Sequence, residues 1–397
     1  MPILVGVSIP RSGHHFLATL LEHALGSDIR YCEYYSQDDC CKRVPCIRET
    51  RHLVTYQKNH DLDLTIDQGT RGISYIVQYR NPVPAVVSDR ELFAEVRGST
   101  LAADRGQYLV FLAEKAAHYV KFYDKWIRRP GARSFVIKYE RLLDQPAAVL
   151  AELFRFAGLE VPTDSISRAV AAVAPVANRP PIVNAAPGLD FQPRVASRSR
   201  YFDVEILSAY ESIVLDLVPE LDGERTFAPA DYRDHPLFAL FNVKCAALEG
   251  RHEDAARQAM DALARWPDHP HVSFVCGESL RRIGRYAEAL PRLEAACALA
   301  AHDAEVLISC ANANIALGNL DRASELAAAV VALLPEYSTH RLFLATVLLM
   351  GGRPREAAEQ ALRALELGIA EPHLWQAFNH VLREARHSGW SLHVQRR

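Results

Sequence analysis

Gly250, Gly284, Gly318 and Gly352 recur every 34 residues, and each is followed five positions later by an alanine: Ala255, Ala289, Ala323 and Ala357. A fixed period of this length constrains the fold more than any single motif, because one unit cannot bury a hydrophobic face alone and must stack on its neighbours. Within a unit, glycine serves the turn between two helices and the small alanine lets them pack closely. Seventeen residues after each glycine stand Pro267, Ala301, Pro335 and Ile369, so a helix-ending proline is kept in two of the four units.

The phrase GRYAEALPRLEAACALA, residues 284–300, resembles the tetratricopeptide repeat (TPR). The departures are Pro291 inside a second helix and the missing prolines. The resemblance covers roughly residues 235 to 390, and residues 235–397 are expected to form an all-α TPR-like repeat domain. It implies a concave groove that takes a peptide or protein partner; an appended spacer or dimerisation surface is the open alternative. Such repeats imply binding rather than chemistry.

The 397-residue chain is 49% hydrophobic and 23% charged, an ordinary globular composition long enough for two cores. Its formal net charge is −3, and neither half carries the excess of basic residues that would bind nucleic acid. No apolar run approaches the length of a membrane span. The chain opens on the strand-like ILVGVS without a basic leader, which predicts a cytoplasmic protein. Cys32, Cys40, Cys41 and Cys46 lie close together. They could form a zinc site, a disulfide-stapled loop or a set of structural thiols; the lack of paired C-x2-C spacing counts against metal. Cys245, Cys276, Cys297 and Cys310 are scattered through helical sequence and read as small buried hydrophobes.

Residues 1–225 alternate strand-like runs with helical periods: ILVGVS, then Phe16, Leu17, Leu20, Leu21, Ala24 and Leu25 on one helical face; HLVTYQK; ISYIVQYR, then a helix from Pro82; a long helix from 106 to 128; and SFVIKY. This order predicts a three-layer α/β domain with a mostly parallel sheet. Ligands bind such sheets beyond the carboxyl ends of the strands. The polar residues there are Arg11 and Ser12, Lys58 and His60, Arg80, and Lys138 to Glu140, and they are expected to converge on one edge.

Three phrases carry the chemistry. GVSIPRSGHH, residues 6–15, turns from strand to helix through Gly13. Such a turn aims backbone N–H groups and a helix N-terminus at one spot and suits an anion. It is not a Walker A loop, since Gly13 is followed by His14 and His15 rather than Lys and a hydroxyl. In YRNPVPAVVS, residues 79–88, Arg80 closes a strand and Ser88 lies eight residues on, offering a guanidinium fork and a hydroxyl donor. In KNHD, Lys58 and His60 are two apart at a strand end, where side chains at i and i+2 share a face.

Together PRSGHHFLATLL, KNH, RNPVPAVVS and KYERLL resemble the sulfotransferases that use 3′-phosphoadenosine 5′-phosphosulfate (PAPS). The resemblance implies a P-loop-like sulfotransferase fold over residues 1–225, with PAPS as co-substrate and no metal. Arg11, Ser12, Gly13, His14 and His15 would cradle the 5′-phosphosulfate, and Arg80 and Ser88 would bind the 3′-phosphate. His60 would be the general base, titrating near neutrality, with Lys58 and Arg11 neutralising the bridging oxygen. Arg11 stands where most soluble members have Lys, and His14 and His15 where they have Thr. The G-x-x-G-x-W-K segment of the family is not recognisable; FQPRVASRSRYF, with Arg194, Arg198 and Arg200, occupies its place and is expected to close over the nucleotide. The acceptor hydroxyl could belong to a protein or peptide, a carbohydrate, a lipid or a small alcohol. The rival readings are a nucleotide-dependent kinase, which lacks its P-loop Lys here, and a non-catalytic nucleotide-sensing scaffold.

Overall fold

The computed structural model describes residues 3–34, 43–46, 52–69, 72–97, 105–173, 202–369 and 372–388. The chain divides into two units, one of Met1–Arg97 and Phe111–Phe241, the other of Gly98–Val110 and Asn242–Arg397.

The first unit is built on a five-stranded sheet. Its strands are β1 (Ile3–Ser8), β2 (Ile29–Glu33), β3 (Val54–Asn59), β4 (Ile73–Tyr79) and β5 (Ser134–Lys138). They lie in the order β2-β3-β1-β4-β5, every pair parallel. β1 and β4 read as near-continuous apolar runs because helices cover both faces of the sheet, and β3, although it carries Gln57, Lys58 and Asn59, is buried along its whole length. On one face Leu4, Tyr56 and Ile76 pack with α1 (His14–Leu25), α4 (Tyr139–Asp144), α5 (Pro146–Ala157) and α6 (Thr163–Val173). On the other, Tyr75 meets Trp126 at 4.9 Å, beyond the end of α3 (Arg105–Tyr123). α2 (Pro82–Arg97) and α7 (Val204–Leu217) pack on each other. The order reverses at β1, whose chain leaves through α1 toward β2 while β4 lies on its other side. The turn after β1 therefore opens at the reversal point, where open parallel sheets hold ligands.

Four strands match the runs read from the sequence, with HLVTYQK paired only from Val54. The strand β2, IRYCE, was not anticipated: it mixes polar and apolar residues and sits at the sheet edge. The long helix expected over 106–128 ends at Tyr123 and continues as a wider π turn, Asp124–Arg128. There Asp61 accepts from Lys125 Nζ and Trp126 Nε1, both at 2.8 Å, and so holds the widened turn.

The second unit contains paired helices: α8 (Pro236–Leu248), α9 (His252–Arg265), α10 (Pro270–Arg282), α11 (Tyr286–Leu299), α12 (Ala304–Ala316), α13 (Leu320–Leu333), α14 (Ser338–Met350), α15 (Pro354–Glu366) and α16 (Pro372–His387). The periodic glycines sit in the turns with φ of 73°, 78°, 79° and 70°, a left-handed conformation that costs an L side chain about 1–2 kcal/mol. Ala255, Ala289, Ala323 and Ala357 are all buried. Pro291 lies inside α11 with its ring exposed. No helix among the described residues is long and apolar enough to cross a membrane.

Candidate functional site

Two left-handed residues, Arg11 at φ 66° and Gly13 at φ 78°, bend the chain between β1 and α1. Gly13 is the N-cap of α1 and supplies no side-chain acceptor to the first turn, whose N–H groups are the ones an anion would meet. A methyl group on Gly13 would collide with the ring of Tyr139, so only glycine fits. The same ring lies 4.6 Å beneath the Arg80 guanidinium, so Tyr139 joins the turn to the end of β4.

Arg80 donates from a terminal nitrogen to the Arg11 carbonyl at 3.3 Å, and Arg11 Nε donates to Ser88 Oγ at 3.0 Å. Arg11, Arg80 and Ser88, separated by up to 77 positions, thus form one cluster beside the turn. Arg80 Nε is buried with no hydrogen-bond partner among the described residues, its nearest carboxylate oxygen being Glu140 Oε1 at 4.0 Å. Ser12 Oγ is likewise buried with no hydrogen-bond partner among the described residues. Burial pulls the Arg80 pKa below its ordinary value, against the favourable pull of Tyr139 and Glu140.

A second cluster adjoins β1. The Ser8 hydroxyl lies 2.8 Å from both His14 Nδ1 and His60 Nδ1, and His60 Nδ1 is also 3.1 Å from the Ser8 carbonyl. A carbonyl only accepts, so His60 Nδ1 carries the proton, Ser8 donates to His14, and His60 Nε2 is the basic nitrogen. His14 is turned under the strand, packed 5.6 Å from Tyr56, with Nε2 where a Cβ on Gly6 would collide. Lys58 Nζ donates to His15 Nε2 at 2.8 Å and pairs with Glu33 at 3.1 Å. All these groups share one electrostatic condition. Burial, with Lys58 next, lowers His60 to about 3 and His15 to about 4, and burial holds His14 well below its ordinary value. Burial also lowers Lys58 against the opposing pull of Glu33. The near-neutral titration expected of His60 is corrected by this crowding: its imidazole stays neutral throughout the physiological range.

Of the residues expected at that edge, Arg11 and Arg80 meet with Glu140 4.0 Å from Arg80, and Lys58 and His60 lie in the second cluster. Arg194, Arg198 and Arg200 lie outside the described residues, as do Cys40 and Cys41. Cys32 and Cys46 pack together with Tyr34. Glu33 and Ser8 were missed as site residues, and Tyr139 was given no role of its own within the stretch Lys138 to Glu140. Ser8 and Tyr139 flank strand ends already read, and that placement was their only signal; Glu33 went with the unread β2. Among the described residues no group of three or more His, Cys, Asp or Glu is placed to hold a metal ion.

In the second unit, residues 246–304 and 311–372 match one tetratricopeptide repeat model and residues 280–339 another. Residues 246–372 are tetratricopeptide repeats. Solved structures similar to the chain include MamA (residues 41 to the end) from Desulfovibrio magneticus RS-1, 24% identical, spanning 39% of this chain and 83% of that one with a TM-score of 0.33. Another is YrrB, described as a TPR protein with an unusual peptide-binding site, 16% identical over 46% of this chain and 84% of that one, TM-score 0.33. Comparison with curated proteins gives no match. Tetratricopeptide repeats suit peptide or protein partners.

Proposed function

We propose that the sheet unit is a sulfotransferase, moving a sulfonate group from PAPS to an acceptor hydroxyl, and that the tetratricopeptide repeats bind a peptide or protein partner. The observation that carries the first part is the Arg11–Ser88–Arg80 cluster beside a left-handed turn, two guanidinium groups and a hydroxyl where a donor with phosphate at both ends needs them. The buried Ser12 hydroxyl and Arg80 Nε are donors suited to phosphate oxygens, and Glu140, with Oε1 4.0 Å from Arg80 Nε, is a carboxylate that an anion would displace from it. In this reading the acceptor oxygen attacks sulfur in line, the new S–O bond forming as the bond from sulfur to the bridging phosphate oxygen breaks. His60 Nε2 takes the acceptor proton, while Lys58 and Arg11 offset the charge growing on the leaving phosphate. Arg194, Arg198 and Arg200 would close over the nucleotide.

Calorimetric titration of Arg80→Ala tests the reading. The substitution should weaken adenosine 3′,5′-bisphosphate by roughly tenfold to a hundredfold, the scale of a lost charge-assisted hydrogen bond, and AMP far less. Equal losses for both ligands, or tighter binding of ATP with magnesium than of the bisphosphate by the unaltered chain, would sink it.

A further inference from the structure

We propose that Cys297 and Cys310 are a modification site, a thiol pair that hydrogen peroxide converts to a reversible disulfide joining α11 to α12. These are the second helix of one repeat and the first helix of the next, so the bond staples two consecutive repeats together. The inference concerns the repeat unit alone, in which both residues lie, and does not depend on sulfonate transfer.

Cys297 stands in the last turn of α11, and Cys310 lies in the middle of α12. A helical side chain leans over the turn that precedes it, so Cys310 covers the turn that begins at Val306. Cys297 Sγ lies 3.8 Å from the Val306 carbonyl, which seats it against that same turn, and the two thiols are within hydrogen-bonding reach of each other. Side-chain rotation at a helix end can close that gap to the roughly 2 Å of a disulfide. The surroundings favour a thiolate at Cys310, which plain apolar packing would not. Asn319 Nδ2 donates to Asn314 Oδ1 at 3.2 Å, and this turns the Asn314 amide nitrogen toward Cys310, 3.0 Å from its carbonyl and 3.7 Å from its sulfur. The hydrogen bond with Cys297 holds the Cys310 thiol below its ordinary range, against burial and Glu294, with Arg322 assisting. Access runs the other way. Cys297 is 7% exposed, next to the exposed residues Ala298, Leu299, Ala301 and His302, whereas Cys310 is fully buried. Peroxide therefore meets Cys297 first. The Cys297 sulfur, giving up its proton, attacks one peroxide oxygen, the O–O bond breaks, and a sulfenic acid and one water result. The Cys310 thiolate then attacks the Cys297 sulfur, the S–S bond forming as the S–O bond breaks, and a second water carries off the remaining proton. Two thiols are oxidised and one peroxide is reduced.

The test is made on the full chain, reduced and then given hydrogen peroxide. Cleavage after glutamate parts the two cysteines at Glu305, so mass spectrometry of the peptides reads the bond directly. The expected product is a Cys297–Cys310 cross-link that dithiothreitol reverses, with a rise of roughly 5 °C or more in the Tm of the repeat unit. In Cys310→Ala the same treatment should leave Cys297 as a sulfenic acid that dimedone captures, and in Cys297→Ala it should leave Cys310 unreacted. No cross-link at a peroxide dose that oxidises the half-buried Cys245, a cross-link that forms only in urea, or a sulfenic acid on Cys310 in a folded Cys297→Ala chain overturns the proposal. The first two of these outcomes are read on the unaltered chain, so the proposal stays refutable even where a variant does not fold.

Discussion

The Ser8 hydroxyl is shared by two imidazoles and fixes which nitrogen of each carries a proton. Because that arrangement leaves His60 Nε2 as the basic atom, His60→Ala should lower sulfonate turnover by roughly a hundredfold or more while bisphosphate affinity changes little; near-normal turnover in a folded variant would remove His60 from the role. The histidines also make stability depend on acidity. His15 and His60 titrate at about 4 and about 3 when folded, against roughly 6.5 in an unfolded chain. Between those values the unfolded chain binds more protons, so stability is full above the unfolded pKa and declines as pH falls toward the folded ones. The slope is about 1.4 kcal/mol per pH unit for each histidine kept neutral. Urea midpoints of the sheet unit's transition should fall between pH 7.5 and 5, and the fall should be shallower in His15→Gln. Identical slopes in the two proteins would show that this crowding is not what sets the acid response.

At the level of elements, the turn from β1 to α1 is held by glycine and an aromatic ring. Gly13→Ala meets two obstacles, a left-handed φ worth roughly 1–2 kcal/mol and the Tyr139 ring. Only the second is relieved by Tyr139→Ala. Denaturant unfolding should therefore show a smaller loss for Gly13→Ala in the Tyr139→Ala background than in the unaltered chain; equal losses would mean that the ring moves aside freely. The elements themselves were legible where one physical signal dominated. Strand-like runs marked β1, β3, β4 and β5, with continuous hydrophobicity in β1 and β4, which are covered on both faces, and evenly spaced glycines marked the helix turns. β2 escaped because an edge strand is only partly buried, and IRYCE mixes Arg30 and Glu33 with its apolar residues in neither a continuous run nor a regular alternation. Sequence also marked the strand-end polar residues, but not that Arg11 would reach Ser88 or that Lys58 would pair with Glu33. Those contacts depend on strand order, which no local pattern encodes. His60 shows the same limit from the side of energetics: its residue type suggested titration near neutrality, and only the packing around it lowers that value.

The whole molecule has separate apolar cores in its two units. Calorimetry should resolve two transitions, and saturating adenosine 3′,5′-bisphosphate should raise only that of the sheet unit, by about 2.7 kcal/mol at a hundred times the dissociation constant. A single transition that moves as one would contradict this. The turn glycines of the repeats carry a consequence for how such a chain changes over generations. At Gly250, Gly284, Gly318 and Gly352 a Cβ would meet nothing within 4 Å, so each turn is set by its own backbone and makes no demand on its surroundings. Duplicating or deleting one 34-residue period in the middle of the array is then a single genetic event that recreates the same helix interfaces on either side, so the length of the array can drift by whole units while the sheet that precedes it is inherited unchanged.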